Sequence, residues 1–449
     1  MRRQAVILAG GKGTRLQERL NGRPKPLVDV DGEPLLGRQI RALRASGISD
    51  ILILVNHAAD QIEAFCQAPA FADLRITLID DGEPRGTAGA LLAALEHLAE
   101  RFLVVYGDTL FDVDLDHFWQ AHGEAGADAT LFLHPNDHPF DSDLIEIDRA
   151  GRVTAFHSPP HEPGAFLPNL VNAAMYVIER NAIAFWRDTA APSDIARNLF
   201  PAMLRRGAHL RGYASFEYIK DIGTPKRLDK AVGHLRAGVV ERARRDRPQK
   251  AVFLDRDGTI NPLRGHLASA DDFALIDGVA EAVRRLNDAE YRVVVVTNQP
   301  VLARGETTFA EMRRIHNKMQ TLLGQSGAFI DGLYLCPHHP DRGFTGEVPE
   351  LKTTCTCRKP GTALIEQARA DLNIDLGQSW FVGDTTGDML TARRAGLASI
   401  LVETGEGGRD GKYAVTPDFT ARDLGTAVDL LTRLRPGAGQ ARAVLMPAS

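Results

Sequence analysis

The sequence predicts an α/β protein made of two doubly wound, three-layer α/β domains, and three observations lead to that prediction. Apolar runs of four to six residues alternate with longer amphipathic stretches along the chain. The length of 449 residues exceeds what one ordinary core supports. A basic stretch at 237–249 interrupts the alternation before a fresh apolar run begins. We therefore expect domains at 1–236 and 250–435, a basic linker at 237–249 and a flexible tail at 436–449.

The apolar runs are predicted strands and the amphipathic stretches are predicted helices. The strands are expected at 6–9, 51–55, 103–106, 252–254, 293–296 and 380–382, and the helices at 35–45, 88–99, 279–288 and 363–370. Nearly continuous apolar strands are buried on both faces, which is typical of parallel sheets covered by helices. In such sheets ligands bind at the carboxyl ends of the strands. Several of these strands end in residues whose side chains could bind a ligand or take part in catalysis.

Composition excludes several classes of function. The net charge of −5 provides no basic field for nucleic acid or anionic lipid. The sequence contains no run of 18 apolar residues that would predict a membrane span. Its opening residues MRR lead straight into a predicted strand rather than a signal peptide, so we expect a cytoplasmic enzyme. Three of the four cysteines cluster in one short segment, which favours a metal site over disulfides. The oligomeric state is not indicated.

A glycine-rich segment, GGKGTRL at 10–16, follows the first predicted strand and precedes PKPL at 24–27. Glycines allow the backbone N–H groups to approach a polyphosphate, and arginine and lysine supply the positive charge that a transferring phosphoryl group needs. Leucine replaces the last glycine of a dinucleotide fingerprint, and no P-loop pattern is present. The candidate residues of this segment are Gly10, Gly11, Gly13, Thr14, Arg15 and Lys25.

These two segments closely resemble the sugar-1-phosphate nucleotidyltransferase family, and further matches follow in the family's order over residues 3–235. GTAG at 86–89 resembles the segment that receives the base, with Gly86 and Thr87 as nucleotide contacts. Asp108 and Asp221 resemble the family's two magnesium ligands, and Asn172 resembles a sugar contact. The resemblance implies a Rossmann-like domain that acts on a sugar phosphate and an NTP.

The reaction implied by this resemblance is attack of a sugar 1-phosphate on the α-phosphate of an NTP, with release of pyrophosphate and no covalent protein intermediate. Magnesium at Asp108 and Asp221 would neutralise the developing charge, while Arg15 and Lys25 position the phosphates. The sequence departs from the family at FHSP, 156–159, where many relatives carry a glutamate–lysine pair. A sugar-phosphate contact is therefore missing or comes from elsewhere, with Lys220 as a candidate.

The second half begins with DRDGT at 255–259, directly after a predicted strand. Two carboxylates at this spacing can divide the work, because one can attack phosphorus while the other handles the proton of the leaving group. Attack by an anion on a phosphoryl group requires cations, which Lys359 and a magnesium ion on Asp384 would provide. Thr297, after the strand at 293–296, can donate a hydrogen bond to the phosphoryl oxygens. Together these residues resemble the haloacid-dehalogenase phosphatases.

A second metal site is predicted in the segments CPHHP, 336–340, and CTCRKP, 355–360. Its ligands are Cys336, His338, Cys355 and Cys357, with His339 as the alternative to His338. Three thiols and one imidazole form a closed tetrahedral set, which is typical of structural zinc. Such a site would stiffen the loop that aims Arg358 and Lys359 at the substrate.

The combination resembles the zinc-loop subgroup of these phosphatases, which includes heptose-1,7-bisphosphate 7-phosphatases and histidinol-phosphate phosphatases, over about residues 250–431. The resemblance implies that Asp255 is the nucleophile and Asp257 the general acid/base, with Mg²⁺ on Asp255, on Asp257 through its backbone, and on Asp384. It implies substrate or phosphoryl contacts at Arg264, His266, Asn298, Gln299 and Arg358. Pro300-Val301 replaces the usual Ser-Gly, and a threonine follows Asp384 where some relatives have lysine, so the choice of substrate stays open.

The two halves fit consecutive reactions. A phosphatase that removes the distal phosphate of a sugar bisphosphate makes the sugar 1-phosphate that a nucleotidyltransferase consumes. The resemblance implies removal of the 7-phosphate of D-glycero-D-manno-heptose 1,7-bisphosphate, then transfer of GMP from GTP to the α-anomer for a surface polysaccharide or glycoprotein. One alternative is a histidinol-phosphate or other sugar-phosphate phosphatase fused to a different hexose-1-phosphate nucleotidyltransferase. The other is an N-terminal half that only senses nucleotide.

Overall fold

The computed structural model describes residues 3–11, 13–56, 58–80, 82, 84–187 and 192–434. Contacts divide the chain into two compact units. Unit 1 comprises Met1–His134, Ser142–Pro159 and Leu170–Arg245, and unit 2 comprises Pro135–Asp141, Pro160–Asn169 and Asp246–Ser449. The flexible tail predicted at 436–449 lies outside the described residues.

Unit 1 alternates strands and helices in the way the sequence predicts. Its strands are β1 Gln4–Leu8, β2 Asp29–Val30, β3 Glu33–Pro34, β4 Asp50–Val55, β5 Arg75–Asp80, β6 Arg101–Tyr106, β7 Thr109–Asp112, β8 Ala129–His134, β9 Leu144–Ile147, β10 Val153–His157, β11 Val171–Glu179, β12 Leu210–Ala214 and β13 Tyr218–Asp221. Its helices are α1 Gln17–Leu20, α2 Leu35–Ala45, α3 Ala59–Cys66, α4 Gly86–Ala93, α5 Leu115–Ala125, α6 Arg180–Ile183, α7 Phe200–Arg205, α8 Pro225–Arg236 and α9 Val239–Arg242. The helix predicted at 88–99 is shorter, since α4 ends at Ala93 and a 3-10 turn follows at Leu95–His97.

The main sheet of unit 1 is mixed rather than purely parallel. Its central order is β10-β9-β11-β6-β1-β4-β5, with β8 beside β11 and β12 beside β8. The strands β1, β4, β5 and β6 are parallel, whereas β11 runs antiparallel to β6 and to β8. Apolar content predicts burial on both faces but does not fix direction, so the expectation of an all-parallel sheet is wrong for β9, β10 and β11.

Alternation along β1 produces the three layers. Val6 packs into one buried cluster with Leu52 and Phe102, while Ile7 packs into the cluster on the other face with Ile40 of α2. Successive side chains of a strand point to opposite faces, so one strand contributes to both cores. Burying such a side chain contributes about 1.5–3 kcal/mol relative to leaving it exposed.

Unit 2 is a smaller parallel sheet with helices. Its strands are β14 Ala251–Leu254, β15 Arg292–Asn298, β16 Gly332–Cys336, β17 Trp380–Gly383, β18 Ala398–Val402 and β19 Phe419–Ala421. Its helices are α10 Val279–Asp288, α11 Pro300–Ala303, α12 Phe309–Gln325, α13 Ala363–Leu372, α14 Thr386–Ala395 and α15 Leu424–Arg433. The six strands are all parallel in the order β16-β15-β14-β17-β18-β19, so the carboxyl ends of β14, β15 and β17 lie side by side.

The units do not follow the predicted boundaries everywhere. Residues 160–169 belong to unit 2 because their backbone is hydrogen bonded to α12: Leu167 N donates to Thr321 Oγ1 (3.2 Å) and Asn169 N donates to Gln320 Oε1 (3.0 Å). The longest segment of unit 2 starts at Asp246, four residues before the predicted domain boundary at 250, and part of the predicted linker forms α9. Within the described ranges, no helix is long and apolar enough to span a membrane.

Candidate active sites

A cavity of about 320 Å³ lies at the carboxyl ends of β1 and β6 in unit 1. Six of the predicted residues line it: Gly10, Gly11, Lys25, Gly86, Thr87 and Asp108. Asn56, Arg85 and Tyr106 also line it and were not predicted. Gly13, Thr14, Arg15, Asn172 and Asp221 are not among its lining residues. The glycine segment and the PKPL segment nevertheless fit closely, since a Cβ on Gly13 would lie 3.0 Å from Lys25 Cβ.

The predicted charged residues of unit 1 converge beside this cavity. Lys25 Nζ forms an ion pair with Asp108 Oδ2. A Cβ placed on Gly223 would lie 2.8 Å from Asp221 Oδ1, 3.1 Å from Lys25 Nζ and 3.5 Å from Arg15 Nη2, so these three groups surround one point. Asp108 reaches the same point through its backbone, because Ile222 N donates to Asp108 O (2.9 Å). The structure therefore brings together all four predicted catalytic and metal residues of this half.

Arg227 is a charged partner that the sequence reasoning missed. Its guanidinium forms an ion pair with Asp221 Oδ2, and Gly223 N donates to Asp221 Oδ1 (2.5 Å). The signal was present, because Arg227 is six residues after the aspartate and lies in the first turn of a helix capped by Thr224. Two aspartates are a donor set that fits Mg²⁺ shared with substrate phosphates, which usually binds one or two protein carboxylates.

The segment at 86–89 packs against the backbone of Ser193 and is hydrogen bonded to it. Gly86 has φ 73°, and a Cβ there would lie 2.3 Å from Ser193 O, so only glycine allows this approach. Thr87 Oγ1 donates to Asp194 Oδ2 (2.8 Å) and accepts from Ile195 N (2.9 Å). The hydroxyl of Thr87 thus fixes the segment as well as facing the cavity, which its resemblance to a base contact did not indicate.

Asn172, the predicted sugar contact, is not among the residues that line this cavity. Asn172 Oδ1 accepts from the N–H of Ala174, which has a left-handed φ of 57°. His157 stands where many relatives carry the glutamate–lysine pair, and its Nε2 lies 3.1 Å from Glu146 Oε1 on the neighbouring strand. This half therefore places an imidazole–carboxylate pair where the family has an ammonium.

In unit 2, Lys359 joins two carboxylates, one directly after β14 and one in the first turn of α14. Its Nζ lies 2.8 Å from Asp255 Oδ1 and 2.7 Å from Asp388 Oδ1, and all three side chains are buried. Burial lowers the pKa of Lys359, but the two carboxylates raise it more, so the net shift is upward and the ammonium is charged. Asp388 was not predicted as a site residue, although it closes the GDTTGD segment from which Asp384 was taken.

Asp384 completes an acidic cluster with Asp255 and Asp388. One oxygen of each carboxylate lies within 4.8 Å of the others. Asp384 Oδ2 accepts from Glu406 N (2.7 Å), whereas its buried Oδ1 has no hydrogen-bond donor among the described residues. Glycine is required beside it, because a Cβ on Gly258, which has φ 85°, would lie 2.2 Å from Asp384 Oδ2.

The charge balance of this cluster fits a divalent cation. Burial raises the pKa of Asp255 well above its usual range despite the lowering effect of Lys359. Burial, with repulsion from Asp388, raises the pKa of Asp384 to about 7. Three buried carboxylates beside one ammonium leave excess negative charge, and oxygen ligands with an orphaned lone pair are those that Mg²⁺ prefers. The donor set therefore fits magnesium.

Asp257 stands apart from this acidic cluster. Its carboxylate is bound by Arg256, by Asn261 Nδ2 (2.9 Å to Oδ1) and by Gln299 Nε2 (2.8 Å to Oδ2). Burial would raise the pKa of Asp257, but Arg256 and these hydrogen bonds outweigh burial and lower it. The expectation that Asp257 binds Mg²⁺ through its backbone stays a prediction.

The TNQ segment, residues 297–299 at the carboxyl end of β15, connects the other predicted residues. Gln299 Nε2 also donates to Thr297 Oγ1 (2.7 Å), which ties Thr297 to Asp257. Asn298 clamps the backbone of Lys359, donating to its carbonyl (3.1 Å) and accepting from its N–H (2.9 Å). Both amide side chains therefore position other predicted site residues, and because both also line the cavity described next, their predicted contact with the substrate stays a prediction.

A cavity of about 260 Å³ opens over Asp255. It is lined by the predicted residues Asp255, Asp257, His266, Asn298, Gln299, Arg358, Lys359 and Asp384, but Arg264 and the buried Thr297 are not among them. His266 is bound by Arg304 Nη1 (2.8 Å to Nε2) and lies 2.8 Å from Glu306 Oε2. Lys412 and Tyr413 also line the cavity and were missed, because their loop carries neither periodicity nor a motif.

The four predicted zinc ligands form one cluster. Their ligand atoms all lie within 4.8 Å of one another, with Cys357 Sγ 3.2 Å from Cys336 Sγ, 3.1 Å from Cys355 Sγ and 3.3 Å from His338 Nδ1. His339 points elsewhere, since its Nδ1 accepts from Asp341 N (3.3 Å). Three thiols and one imidazole fit zinc and leave no position open for chemistry. Arg358 Nη1 donates to His338 O (3.3 Å), so this cluster holds a residue of the cavity.

Comparison with known proteins agrees with this division of the chain. The family profile described as nucleotidyl transferase matches residues 4–237, and one described as HAD-hydrolase-like matches residues 356–427. A D-glycero-beta-D-manno-heptose-1,7-bisphosphate 7-phosphatase of Yersinia pestis is 43% identical over 157 residues, 35% of this chain and 81% of the relative. A D-glycero-D-manno-heptose-1,7-bisphosphate 7-phosphatase of Thermosynechococcus vestitus is 42% identical over 195 residues, 42% of this chain and 99% of the relative. A crystal structure of HddC from Yersinia pseudotuberculosis has a TM-score of 0.45 at 25% identity, covering 52% of this chain and 100% of that one.

Proposed function

Since the chain belongs to the nucleotidyl transferase family through residues 4–237 and to the heptose-bisphosphate 7-phosphatase family through its second half, we propose that it catalyses two consecutive steps of nucleotide-sugar synthesis. The first step removes the 7-phosphate of D-glycero-D-manno-heptose 1,7-bisphosphate. The second transfers GMP from GTP to the resulting heptose 1-phosphate. The product of one site is the substrate of the other, which accounts for their presence on one chain.

The phosphatase reaction is carried by the buried Asp255–Lys359–Asp388 arrangement. An Asp255 oxygen attacks phosphorus and forms an aspartyl phosphate while the bond to the sugar oxygen breaks. Lys359, 2.8 Å from Asp255, and the hydroxyl of Thr297 stabilise charge on the phosphoryl oxygens. Asp257 gives a proton to the leaving oxygen and later takes one from the water that cleaves the aspartyl phosphate.

The nucleotidyl transfer needs no protein nucleophile, because the sugar phosphate attacks directly. Arg15 and Lys25 converge at Gly223 and would bind the phosphates of the NTP. The cavity lined by Gly10, Gly11 and Gly86 would hold the nucleotide, whose phosphates can approach backbone N–H groups closely only at glycine. The choice of GTP over other nucleotides is the one that the resemblance of the sequence implies.

Two kinds of metal fit the donors. Asp255, Asp384 and Asp388 in one site, and Asp108 and Asp221 in the other, would hold Mg²⁺, which supplies Lewis-acid neutralisation of phosphate charge. Cys336, His338, Cys355 and Cys357 would hold a structural Zn²⁺. Thiols that bind zinc must stay reduced, so we propose that the enzyme works in the cytoplasm.

The test is phosphate release from the α- and β-anomers of heptose 1,7-bisphosphate, followed by GTP, ATP, CTP and UTP in turn. We expect hydrolysis of one anomer, absent in Asp255→Asn, and pyrophosphate release with GTP. The relative from Yersinia pestis is named for the β-anomer, whereas synthesis of a GDP-sugar predicts the α-anomer, so the anomers separate two versions of the pathway. Hydrolysis of histidinol phosphate alone would remove heptose from the account, and nucleotide binding without pyrophosphate release would make the first half a sensor.

A further inference from the structure

A buried arginine lies beneath the proposed proton-transfer residue of the phosphatase. Arg256 is fully buried, and its guanidinium contacts the carboxylate of the next residue, Asp257. Nη2 lies 2.8 Å from both Asp257 Oδ1 and Asp257 Oδ2, and Nε lies 3.3 Å from Oδ1. A guanidinium that approaches both oxygens of a carboxylate restricts its orientation more than a single hydrogen bond does.

The other side of the guanidinium is held by α12 and by the TNQ segment. Nη1 donates to His316 Nε2 (3.2 Å) and approaches Met312 Sδ (3.4 Å), and Nη2 also donates to Gln299 Oε1 (3.1 Å). Burial, with repulsion from Arg256, lowers the pKa of His316 to about 3, so the ring is neutral and its Nε2 is free to accept. All three nitrogens of Arg256 thus have acceptors, which leaves its side chain one position.

From this geometry we propose that Arg256 is a positioning residue for catalysis, which together with His316 and Gln299 fixes the Asp257 carboxylate against the cavity over Asp255. The proposal rests on the proposed phosphatase mechanism and assigns a role to a residue that does not line the cavity. Gln299 extends the same network to Thr297, so the phosphoryl donor and the proton-transfer group are held by one set of hydrogen bonds.

The two chemical steps depend on this carboxylate to different extents. In the first, Asp255 Oδ bonds to phosphorus, the bond to the leaving oxygen breaks, and Asp257 gives that oxygen a proton. In the second, a water oxygen bonds to phosphorus, the Asp255–phosphorus bond breaks, and Asp257 takes the proton of the water. An aryl phosphate releases a weakly basic phenolate that needs no proton, so with p-nitrophenyl phosphate only the second step requires Asp257.

The experiment is rapid-quench measurement of p-nitrophenolate and of phosphate bound covalently to the enzyme. For Arg256→Met we expect a burst of about one phenolate per active site, and then turnover about 10²-fold slower than in the wild type. Arg256→Lys, which keeps the charge but not the paired contact, should recover part of the loss. Asp257→Asn should show the same burst, and the double variant should lose little more, because both substitutions disable one device.

Arg292→Met is the matched control, because Arg292 also pairs with a buried aspartate, Asp331 (3.3 Å), and does not line the cavity. It should lower stability without changing the ratio of burst to turnover. Turnover of Arg256→Met equal to that of Arg292→Met would overturn the proposal, as would equal loss of burst and turnover in a folded variant. If Arg256→Met fails to fold, His316→Phe, which removes one acceptor, should show the same pattern more weakly, and wild-type ratios there would overturn it.

Failure of the underlying mechanism is visible separately. Wild-type enzyme that carries no covalent phosphate, or Asp255→Asn that still does, would contradict the role of Asp255 itself. In the first of these cases no variant, including the Arg292→Met control, would show a burst, whereas failure of the proposal about Arg256 leaves the burst of the wild type and of the control intact.

Discussion

The two candidate sites hold their charges in opposite ways. In the phosphatase site, the side chains of Lys359 and Asp388 are 4% and 1% exposed, and each is fixed by another charged group. In the nucleotidyltransferase site, the side chains of Asp108 and Asp221 are 25% and 41% exposed. A covalent mechanism needs a nucleophile and a cation that are aligned before the substrate arrives, whereas direct transfer between two substrates lets the ligands bring much of the charge with them.

This difference shows that the free-energy cost of an ionised carboxylate depends on how deeply the fold buries it. Burying Asp255, Asp384 and Asp388 together is unfavourable unless a cation is present, and Lys359 is the ammonium that contacts two of them. Asp108 and Asp221 of unit 1 keep contact with solvent, which screens their charge. Substitutions in the buried site should therefore affect stability and activity together, and those in the exposed site should affect activity alone.

The largest expected effect separates the two reactions. Asp255→Asn removes the covalent nucleophile and should lower phosphate release by about 10⁴-fold or more. Asp108→Asn should lower pyrophosphate release by about 10²–10³-fold, since it weakens charge stabilisation in a reaction without a covalent step. Each variant should keep the other activity within about twofold, because each site is built from the residues of its own compact unit and the two share no residue. Loss of both activities in either variant, with the fold intact, would contradict the assignment of one reaction to each site.

A second comparison sharpens the argument about burial. Lys359→Met leaves Asp255 and Asp388 without their ammonium and should destabilise the phosphatase unit by about 3–5 kcal/mol, a fall of roughly 10 °C in Tm. Lys25→Met removes a partly exposed partner of Asp108 and should cost about 0–1 kcal/mol. Scanning calorimetry of both variants measures this, and Mg²⁺ should restore part of the loss only in Lys359→Met. Equal losses in the two variants would mean that burial does not distinguish the sites.

The sequence predicted the strands that carry the chemistry because apolar runs report burial directly. Strands β14, β15 and β17 begin and end within two residues of their predicted bounds, and α2 and α10 match theirs. Strand direction was not encoded in the same pattern, which is why the antiparallel orientation of β11 relative to β6 and β8 was not predicted. The sequence singled out Asp255, Asp384 and the cysteine–histidine cluster because each lies in a short local motif with a fixed spacing.

What the sequence could not reveal depends on contacts between distant segments. Asp388 pairs with Lys359, 29 residues earlier in the chain, and only the fold shows that they meet. Lys412 reaches the cavity from a loop without periodicity. Arg256 was read only as the residue between two aspartates, since its burial and its contact with His316 of α12 require the packed helix.

The smallest expected effect concerns the zinc cluster, which contains no catalytic group. Cys357→Ser, or removal of zinc by a chelator, should lower phosphatase activity roughly tenfold, because Arg358 and Lys359 follow the ligand directly and would lose their support. Nucleotidyl transfer should not change. Cys66→Ser is the matched control, since Cys66 lies in unit 1 outside the cluster and burial raises the pKa of its thiol to about 11.

Thiol counting checks the same prediction without relying on activity. Near pH 8 a thiol with a pKa of about 11 reacts slowly, so Cys66 should stay unmodified in the folded protein. Chelation should make Cys336, Cys355 and Cys357 reactive together, and the same three should be protected when zinc is restored, because bound thiolates are shielded by the metal. Three thiols that react equally with and without chelator would show that this loop is held by packing alone. The contrast between the two sites would then rest only on the buried charges around Lys359.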